Sequence, residues 1–220
     1  MSHDISTAPD GIEITKENEK NYNIYKLTYE EIKKYDVGIK PFPRFPEQKK
    51  IATHKPSLRD LIAATETKDP NIRYNIEIKR RPENDGIFHP EYKHFADMVI
   101  NEIEALGIMN WTTVQCFDVA TLQYIHQTYP HVKLVYLIEN KDTPRQNLDK
   151  LGFKPDVYSP DYKLVDAALV TLCAAKNMQL IPWTVNEVDD MKALIDLKVD
   201  GIITDYPDRL IEIYSGLMNK

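Results

Sequence analysis

The segment Arg73–Arg80 reads RYNIEIKR, and it alternates apolar and polar residues with the two-residue period of a β-strand. The apolar side chains therefore point to one face, while Asn75, Glu77 and Lys79 point to the other. A long amphipathic helical pattern follows directly, and strands of such strand–helix units are usually buried on both faces. A buried Glu two residues from a buried Lys requires a partner, so the sequence predicts either a structural ion pair or a ligand site here.

The same strand–helix pattern recurs through the C-terminal part of the chain. Six predicted strands, each followed by a predicted helix, occupy residues 73–80, 111–117, 134–139, 157–159, 180–185 and 201–204. Strict alternation of this kind predicts a parallel sheet with helices outside it. The sheet is either doubly wound or curled into a (β/α)8 TIM barrel.

Polar residues at the carboxyl ends of the predicted strands favour the barrel, because barrel enzymes build their sites there from several strands at once. These residues are Glu77, Lys79, Gln115, Asp118, Glu139, Ser159, Asp161, Trp183, Asn186 and Asp205. A nucleotide-binding sheet would more often carry a glycine-rich turn after its first strand, and this sequence has none. A complete barrel needs eight strands in about 250 residues, so two units and about 50–60 residues are lacking. Either residues are missing upstream, or the sheet is open.

The N-terminal part shows little regular structure. Thr28 with Glu31 has the pattern of a capping box for a short helix, and Ser57 is the expected N-cap of the next one. Between these helices the proline-rich residues 36–56 predict an excursion over the surface. We expect residues 1–220 to form a single barrel domain.

Composition restricts the possible partners. The chain of 220 residues is 42% hydrophobic and carries a net charge of −6, which argues against nucleic acid or an anionic membrane as the main partner. No stretch has the length of a membrane span, and no signal peptide follows Met1. We therefore expect a soluble protein with a small-molecule partner. The compartment, cytoplasmic or periplasmic, and the oligomeric state stay open.

Five stretches, taken in order, resemble the glycerophosphodiester phosphodiesterase family. They are SHD at 2–4, NIEIK at 75–79, VQCFD at 114–118, IPWTVN at 181–186 and VDGIITDYPD at 199–208. The resemblance covers essentially the whole chain. It implies a TIM barrel of the phospholipase C-like type that hydrolyses glycerophosphodiesters to sn-glycerol 3-phosphate and an alcohol. It also implies a divalent metal cofactor, Mg²⁺ or Ca²⁺.

The resemblance assigns catalytic and metal-binding roles to matching positions. His3 corresponds to the catalytic histidine of the family's His-Asp motif, with Asp4 as its supporting neighbour. Glu77 corresponds to a metal-binding carboxylate, and Lys79 to a cation that faces the phosphate. Without the ordered motifs, His3 would be a solvated surface residue. The other histidines, His54, His89, His94, His126 and His131, share no metal-ligand spacing and are expected to be structural or exposed.

The resemblance also predicts the substrate cleft. Gln115 and Phe117 match positions that line it, and Trp183 matches an aromatic wall for the glycerol or alcohol part. Cys116 stands where the family often has a small residue such as Ser. Because side chains alternate along a strand, Cys116 is expected to point away from Gln115.

One departure from the family is large. Its His-Arg-Gly motif and its Glu-x-Asp metal ligands belong upstream of the His-Asp motif, where this sequence has nothing. The resemblance therefore implies an N-terminally truncated enzyme, and any signal peptide would lie in the missing part. Glu77 alone should hold a hard cation weakly, so residues 1–220 are expected to be nearly inactive. The alternatives are a non-catalytic barrel remnant that binds a phosphate or a partner protein, and a related phosphodiesterase acting on lysophospholipids or other head groups.

Overall fold

The computed structural model describes residues 4–218, and the chain divides into two compact units. The first unit comprises Met1–Ile72 with Glu83–Glu91, and the second comprises Arg73–Pro82 with Tyr92–Lys220. The expectation of a single domain stays a prediction.

The first unit contains short helices joined by long irregular segments. Two 3-10 helices, Glu19–Asn21 and Ile24–Lys26, precede α1, Tyr29–Ile32, and α2 follows at Leu58–Glu66. A small core forms where Ala8 and Ile14 pack against aliphatic and aromatic neighbours. The described residues of this unit bury few apolar side chains.

The predicted helix caps of the first unit are confirmed. The Thr28 hydroxyl accepts from the backbone of Glu31, whose carboxylate accepts from the backbone N–H of Thr28 at 2.8 Å. The Ser57 hydroxyl accepts from the backbone N–H of Asp60 at 3.1 Å. Each cap satisfies N–H groups that a helix start leaves without an intrahelical acceptor, which is why both helices begin at these positions.

The second unit is built on a parallel sheet. Its strands within the described residues are β1 (Tyr74–Glu77), β2 (Thr112–Cys116), β3 (Lys133–Ile138), β4 (Val157–Pro160) and β5 (Gln179–Leu180). They follow the order of the chain across the sheet, and every neighbouring pair is parallel. The alternating pattern of the sequence therefore predicted the parallel α/β arrangement correctly.

Helices follow the strands as expected, and two of them come after β5. They are α3 (Tyr92–Ala105), α4 (Val119–Thr128), α5 (Pro144–Leu151), α6 (Ala167–Ala175), α7 (Val188–Asp196) and α8 (Pro207–Met218). Short 3-10 helices lie at Pro82–Asn84, Met109–Trp111 and Tyr162–Leu164. Gly107 ends the turn after α3 with a φ of 71°, a backbone conformation that glycine adopts without strain. Within the described residues, no helix is long and apolar enough to cross a membrane.

The prediction of six regular strands is wrong by one, because residues 201–204 form no named strand in the described chain. The backbone of this segment nevertheless continues the sheet, since Ile203 donates to the carbonyl of Pro182 at 2.9 Å and accepts from Val185 at 2.9 Å. Pro182 has no N–H to donate, so the ladder beyond β5 is irregular. Residues 201–204 therefore lie beside the last strand without regular pairing.

Candidate active site

Glu77 and Lys79 lie together at the carboxyl end of β1. The Nζ atom of Lys79 is 2.6 Å from Oε2 of Glu77. The Glu77 side chain is 19% exposed, whereas that of Lys79 is 78% exposed, so the expectation of a buried lysine is wrong. The strand ends at Glu77, so Lys79 already lies beyond the sheet and extends its charged end into water. Because the Lys79 end of the pair is solvated, the pair contributes little stability, and the ammonium stays accessible to a ligand.

Side-chain amides continue this face of the sheet beside Glu77. The parallel register places Glu77 next to Gln115, and the Asn75 amide donates to Oε1 of Gln115 at 2.8 Å. The Thr113 hydroxyl in turn donates to Oδ1 of Asn75 at 2.9 Å. These bonds hold the Gln115 carbonyl in a fixed orientation. Asn75 was not predicted as a site residue, although alternation along the strand had placed it on the face of Glu77.

Phe117 and Trp183 form an aromatic pair near Glu77 and Lys79, at the carboxyl ends of the strands. This edge of the sheet is called the rim below. Their ring centroids are 5.4 Å apart with an interplanar angle of 86°, an edge-to-face arrangement. The Trp183 indole donates to the carbonyl of Ser159 at 2.9 Å, which fixes its orientation. Trp183 follows β5, and three strand spacings across a sheet are about 14 Å. Because side chains stand roughly perpendicular to a sheet, the ring contact requires the sheet to curve toward this face.

A buried ion pair holds the ends of β1 and β2 together. Arg80 lies 2.8 Å from Oδ2 of Asp118, and their side chains are 8% and 15% exposed. The same carboxylate oxygen caps α4 by accepting from the backbone N–H of Thr121 at 2.8 Å. Arg80 directly follows Lys79, and Asp118 directly follows Phe117. Sequence patterns did not predict this pair, because Arg80 closes a polar strand end and resembles a solvated residue.

Cys116 lies on the opposite face from Gln115, as its position in the alternating strand predicted. It is buried, and its thiol donates to the carbonyl of Ile78 at 3.1 Å. Burial raises the pKa of the Cys116 thiol to about 12 and that of Cys173 to about 11. Both cysteines are therefore protonated structural residues at neutral pH.

Neither thiol is expected to react with Ellman's reagent at pH 8 while the protein is folded, because the reagent requires an accessible thiolate. The same protein in guanidinium chloride should release colour for both cysteines. Rapid reaction of one thiol in the folded protein would show that its pocket opens to solvent.

The remaining predicted residues belong to the start of the chain. His3 lies outside the described residues, so its catalytic role stays a prediction. Asp4 lies in an exposed turn of the first unit. The supporting role of Asp4 likewise stays a prediction.

The described residues do not form a complete site for a divalent cation. Across residues 4–218, no group of three or more histidine, cysteine, aspartate or glutamate side chains is arranged to hold a metal. At the rim, Glu77 contributes one carboxylate, which is already paired with Lys79. Mg²⁺ and Ca²⁺ take six or more oxygen ligands, so Glu77 needs further ligands to hold either ion firmly.

A cavity of about 400 Å³ lies along the face of the sheet that carries Asn75 and Thr113, and it extends to the amino ends of the strands of the second unit. Its lining includes Arg73, Trp111 and Lys133, which lie at or before the amino ends of β1, β2 and β3. The lining contains none of the four rim residues Glu77, Lys79, Phe117 and Trp183. Barrel enzymes carry their chemistry at the carboxyl ends, so this cavity is not assigned to catalysis.

Comparison with known proteins identifies the family of the chain that carries this rim. The model of the glycerophosphoryl diester phosphodiesterase family matches residues 3–209. This chain belongs to that family. The phosphodiesterase fold accounts for the curved parallel sheet and the polar strand ends. The resemblance found in the five motifs is thereby confirmed, and so is the enzyme class, a phosphoric diester hydrolase.

Two bacterial relatives extend this assignment. The chain is 30% identical over 189 residues to a glycerophosphodiester phosphodiesterase from Caldanaerobacter subterraneus subsp. tengcongensis, a match that covers 85% of this chain and 71% of the relative. It is 28% identical over 190 residues to a protein of the same name from Bacillus altitudinis, covering 84% and 71%. Both matches leave more than a quarter of the relative uncovered.

Solved structures confirm the fold class of the family. A protein from Silicibacter pomeroyi DSS-3, described as a glycerophosphoryl diester phosphodiesterase, superposes with a TM-score of 0.81 at 23% identity, covering 97% of this chain and 76% of that one. An Oleispira antarctica phosphodiesterase in complex with sn-glycerol-3-phosphate gives a TM-score of 0.67 at 16% identity, covering 87% and 72%. This chain therefore has the α/β TIM-barrel fold class, of which the second unit shows a five-stranded part within the described residues.

Proposed function

We propose that this chain hydrolyses glycerophosphodiesters to sn-glycerol 3-phosphate and an alcohol with the help of a divalent cation, Mg²⁺ or Ca²⁺. The observation that carries the proposal is the accessible Glu77–Lys79 pair at the carboxyl end of β1 in a chain of this family. A carboxylate next to an exposed ammonium suits a phosphodiester, because the carboxylate can hold a cation while the ammonium contacts the anionic oxygens.

The rim residues have distinct proposed roles in substrate binding. The exposed ammonium of Lys79 attracts the phosphate, and Gln115 offers an amide to a hydroxyl of the glycerol part. The Phe117–Trp183 pair forms a wall against which the carbon skeleton packs. Together these contacts orient the diester, and orientation lowers the barrier by removing much of the entropy loss.

Hydrolysis of a phosphodiester requires a deprotonated nucleophile and a protonated leaving alcohol. His3 is proposed to move one of these protons, with Asp4 supporting it. The nucleophile is either water or the neighbouring hydroxyl of the glycerol part, which would give a cyclic phosphate that water opens afterwards. A bound divalent cation supplies further neutralisation of the phosphate charge.

Residues 1–220 are proposed to hydrolyse their substrate slowly. Glu77 is the carboxylate at the rim proposed to bind the cation, and the described residues supply no group of three metal-binding side chains. Weak cation binding lowers the fraction of molecules that carry the ion. The expected result is slow hydrolysis of glycerophosphocholine that needs Mg²⁺ or Ca²⁺ and stops with EDTA.

The assay compares this chain with the Bacillus altitudinis relative and measures the release of sn-glycerol 3-phosphate. A rate equal to that of the relative would contradict the proposed impairment. Hydrolysis that persists in EDTA would contradict the need for a cation. If hydrolysis does not exceed that of the buffer, the second candidate is favoured, a barrel that binds phosphate without cleaving it. The incomplete set of metal ligands among the described residues supports this candidate.

Lys79→Met is expected to weaken the binding of sn-glycerol 3-phosphate about tenfold, because one charge-assisted hydrogen bond to the phosphate is lost. Isothermal titration with the product measures this effect without requiring turnover. Lys192→Met on α7 is the matched control, since its exposed ammonium lies 4.0 Å from Asp189. Equal affinities for the Lys79 variant and the control would remove Lys79 from the site.

A further inference from the structure

The basic loop, residues 37–53, is a closed excursion of the first unit. Its two ends meet where Val37 donates to the carbonyl of Thr53 at 2.8 Å. The Asp36 carboxylate accepts from the backbone N–H groups of Ile39 and Thr53, both at 2.8 Å. A Cβ on Gly38 would overlap the carbonyl of Ile51. The two chain segments that close the loop, called its neck below, are therefore in close contact. These contacts fix the position of both ends.

Charge is concentrated in the basic loop. The loop contains one acidic residue, Glu47, and four basic residues, Lys40, Arg44, Lys49 and Lys50. It therefore carries a net charge of +3 in a chain of net charge −6. Lys40 is engaged within the unit, where its Nζ lies 3.7 Å from a carboxylate oxygen of Glu13. Lys49 and Lys50 are exposed. The net charge of the whole chain therefore conceals a local cationic surface.

Large aliphatic side chains accompany this charge. Ile39 is 54% exposed and Ile51 is 62% exposed. They are neighbours across the neck, since the backbone of Ile51 donates to the carbonyl of Gly38 at 3.3 Å. Two exposed isoleucines on neighbouring backbone segments, with two lysines directly before Ile51 in the sequence, form an amphipathic surface, which is a typical composition of segments that bind at a membrane interface.

The basic loop is preordered for binding. Three prolines, Pro41, Pro43 and Pro46, restrict its backbone, and Phe45 donates to the carbonyl of Phe42 at 2.9 Å in a turn. The Phe42 and Phe45 rings pack edge to face, 5.5 Å between centroids. A loop that is ordered beforehand loses less conformational entropy on binding than a flexible one.

We propose that the basic loop docks this protein on bilayers that contain anionic phospholipids. Ile39 and Ile51 enter the boundary between head groups and acyl chains, and Lys49 and Lys50 contact the lipid phosphates. The exposed isoleucines favour a bilayer over a nucleic acid, because a nucleic acid backbone offers no apolar phase to bury them. This docking is independent of the hydrolysis proposed for the second unit.

The test is sedimentation of residues 1–220 with vesicles. Phosphatidylcholine vesicles containing about a third phosphatidylserine should bind the protein, and salt should weaken the binding. K49E/K50E should lower the partition coefficient at least tenfold, since each basic residue near an anionic surface contributes about fivefold. I39S/I51S should lower it about tenfold even at low salt. K16E/K20E, which makes the same charge change outside the loop in the same unit, should bind almost as the wild type does.

Several results would overturn this proposal. One such result is binding to anionic vesicles that is no stronger than binding to vesicles of phosphatidylcholine alone. Another is a loss of binding by K16E/K20E as large as that by K49E/K50E. Unchanged binding of I39S/I51S would reduce the interaction to charge alone and contradict insertion. Binding to RNA without binding to vesicles would assign the loop to a different partner. Circular dichroism and thermal unfolding of each variant establish that it is folded before its binding is compared.

Discussion

Glu77→Gln is expected to abolish cation binding by this chain and to lower cation-dependent hydrolysis about 10²–10³-fold. The neutral amide has nearly the shape of the carboxylate but cannot supply the charge that a hard cation requires. Binding of Mn²⁺, followed by its electron paramagnetic resonance signal, gives a readout that does not depend on turnover. Release of sn-glycerol 3-phosphate from glycerophosphocholine gives the second readout.

The matched control is Glu212→Gln on α8, which removes an exposed carboxylate of the same unit away from the strand ends. This variant should bind Mn²⁺ and hydrolyse substrate as the wild type does. Retained Mn²⁺ binding and hydrolysis by the Glu77 variant would assign Glu77 to the ion pair with Lys79 alone. That outcome would decide between the two roles that the sequence left open for this strand.

Arg80→Met is expected to lower the free energy of unfolding by about 3–5 kcal/mol. The substitution leaves the Asp118 carboxylate, which is 15% exposed, without its guanidinium partner. An unpaired buried charge costs far more than the intact pair contributes. Since domains are stable by about 5–15 kcal/mol, a loss of this size is measurable by urea unfolding and should lower the midpoint clearly.

Arg145→Met on α5 is the control for this variant. Arg145 lies 3.9 Å from Asp149, and both side chains are largely exposed, at 91% and 73%. Surface pairs of this kind contribute about 0–1 kcal/mol, so the control should unfold close to the wild type. Equal stabilities of the Arg80 and Arg145 variants would mean that water reaches Asp118 and replaces the guanidinium.

The periodicity of the sequence was sufficient for the sheet of the second unit. Alternation in Tyr74–Glu77 and Thr112–Cys116 separated the face of Gln115 from that of Cys116, because the two-residue period of a strand is a property of the backbone itself. Capping residues fixed the starts of short helices for the same local reason. Five ordered motifs then identified the family.

Local patterns failed where the outcome depends on neighbours that are distant in sequence. The strand at Gln179–Leu180 is shorter than predicted, since Pro182 lacks the N–H that the segment at residues 201–204 would need for regular pairing. Lys79 is exposed because β1 ends two residues before it. Neither strand ends nor pairing partners are encoded in a window of a few residues.

The sequence by itself determined the parallel α/β class, the family and the residues proposed for the carboxyl rim. Only the tertiary structure decided that Phe117 meets Trp183, that Arg80 pairs with Asp118, and that Lys79 faces solvent while Glu77 is largely buried. The physical reason is that periodicity and capping act over a few residues along the chain. Ring contacts, buried ion pairs and exposure depend on how the sheet curves and on which strand ends lie side by side.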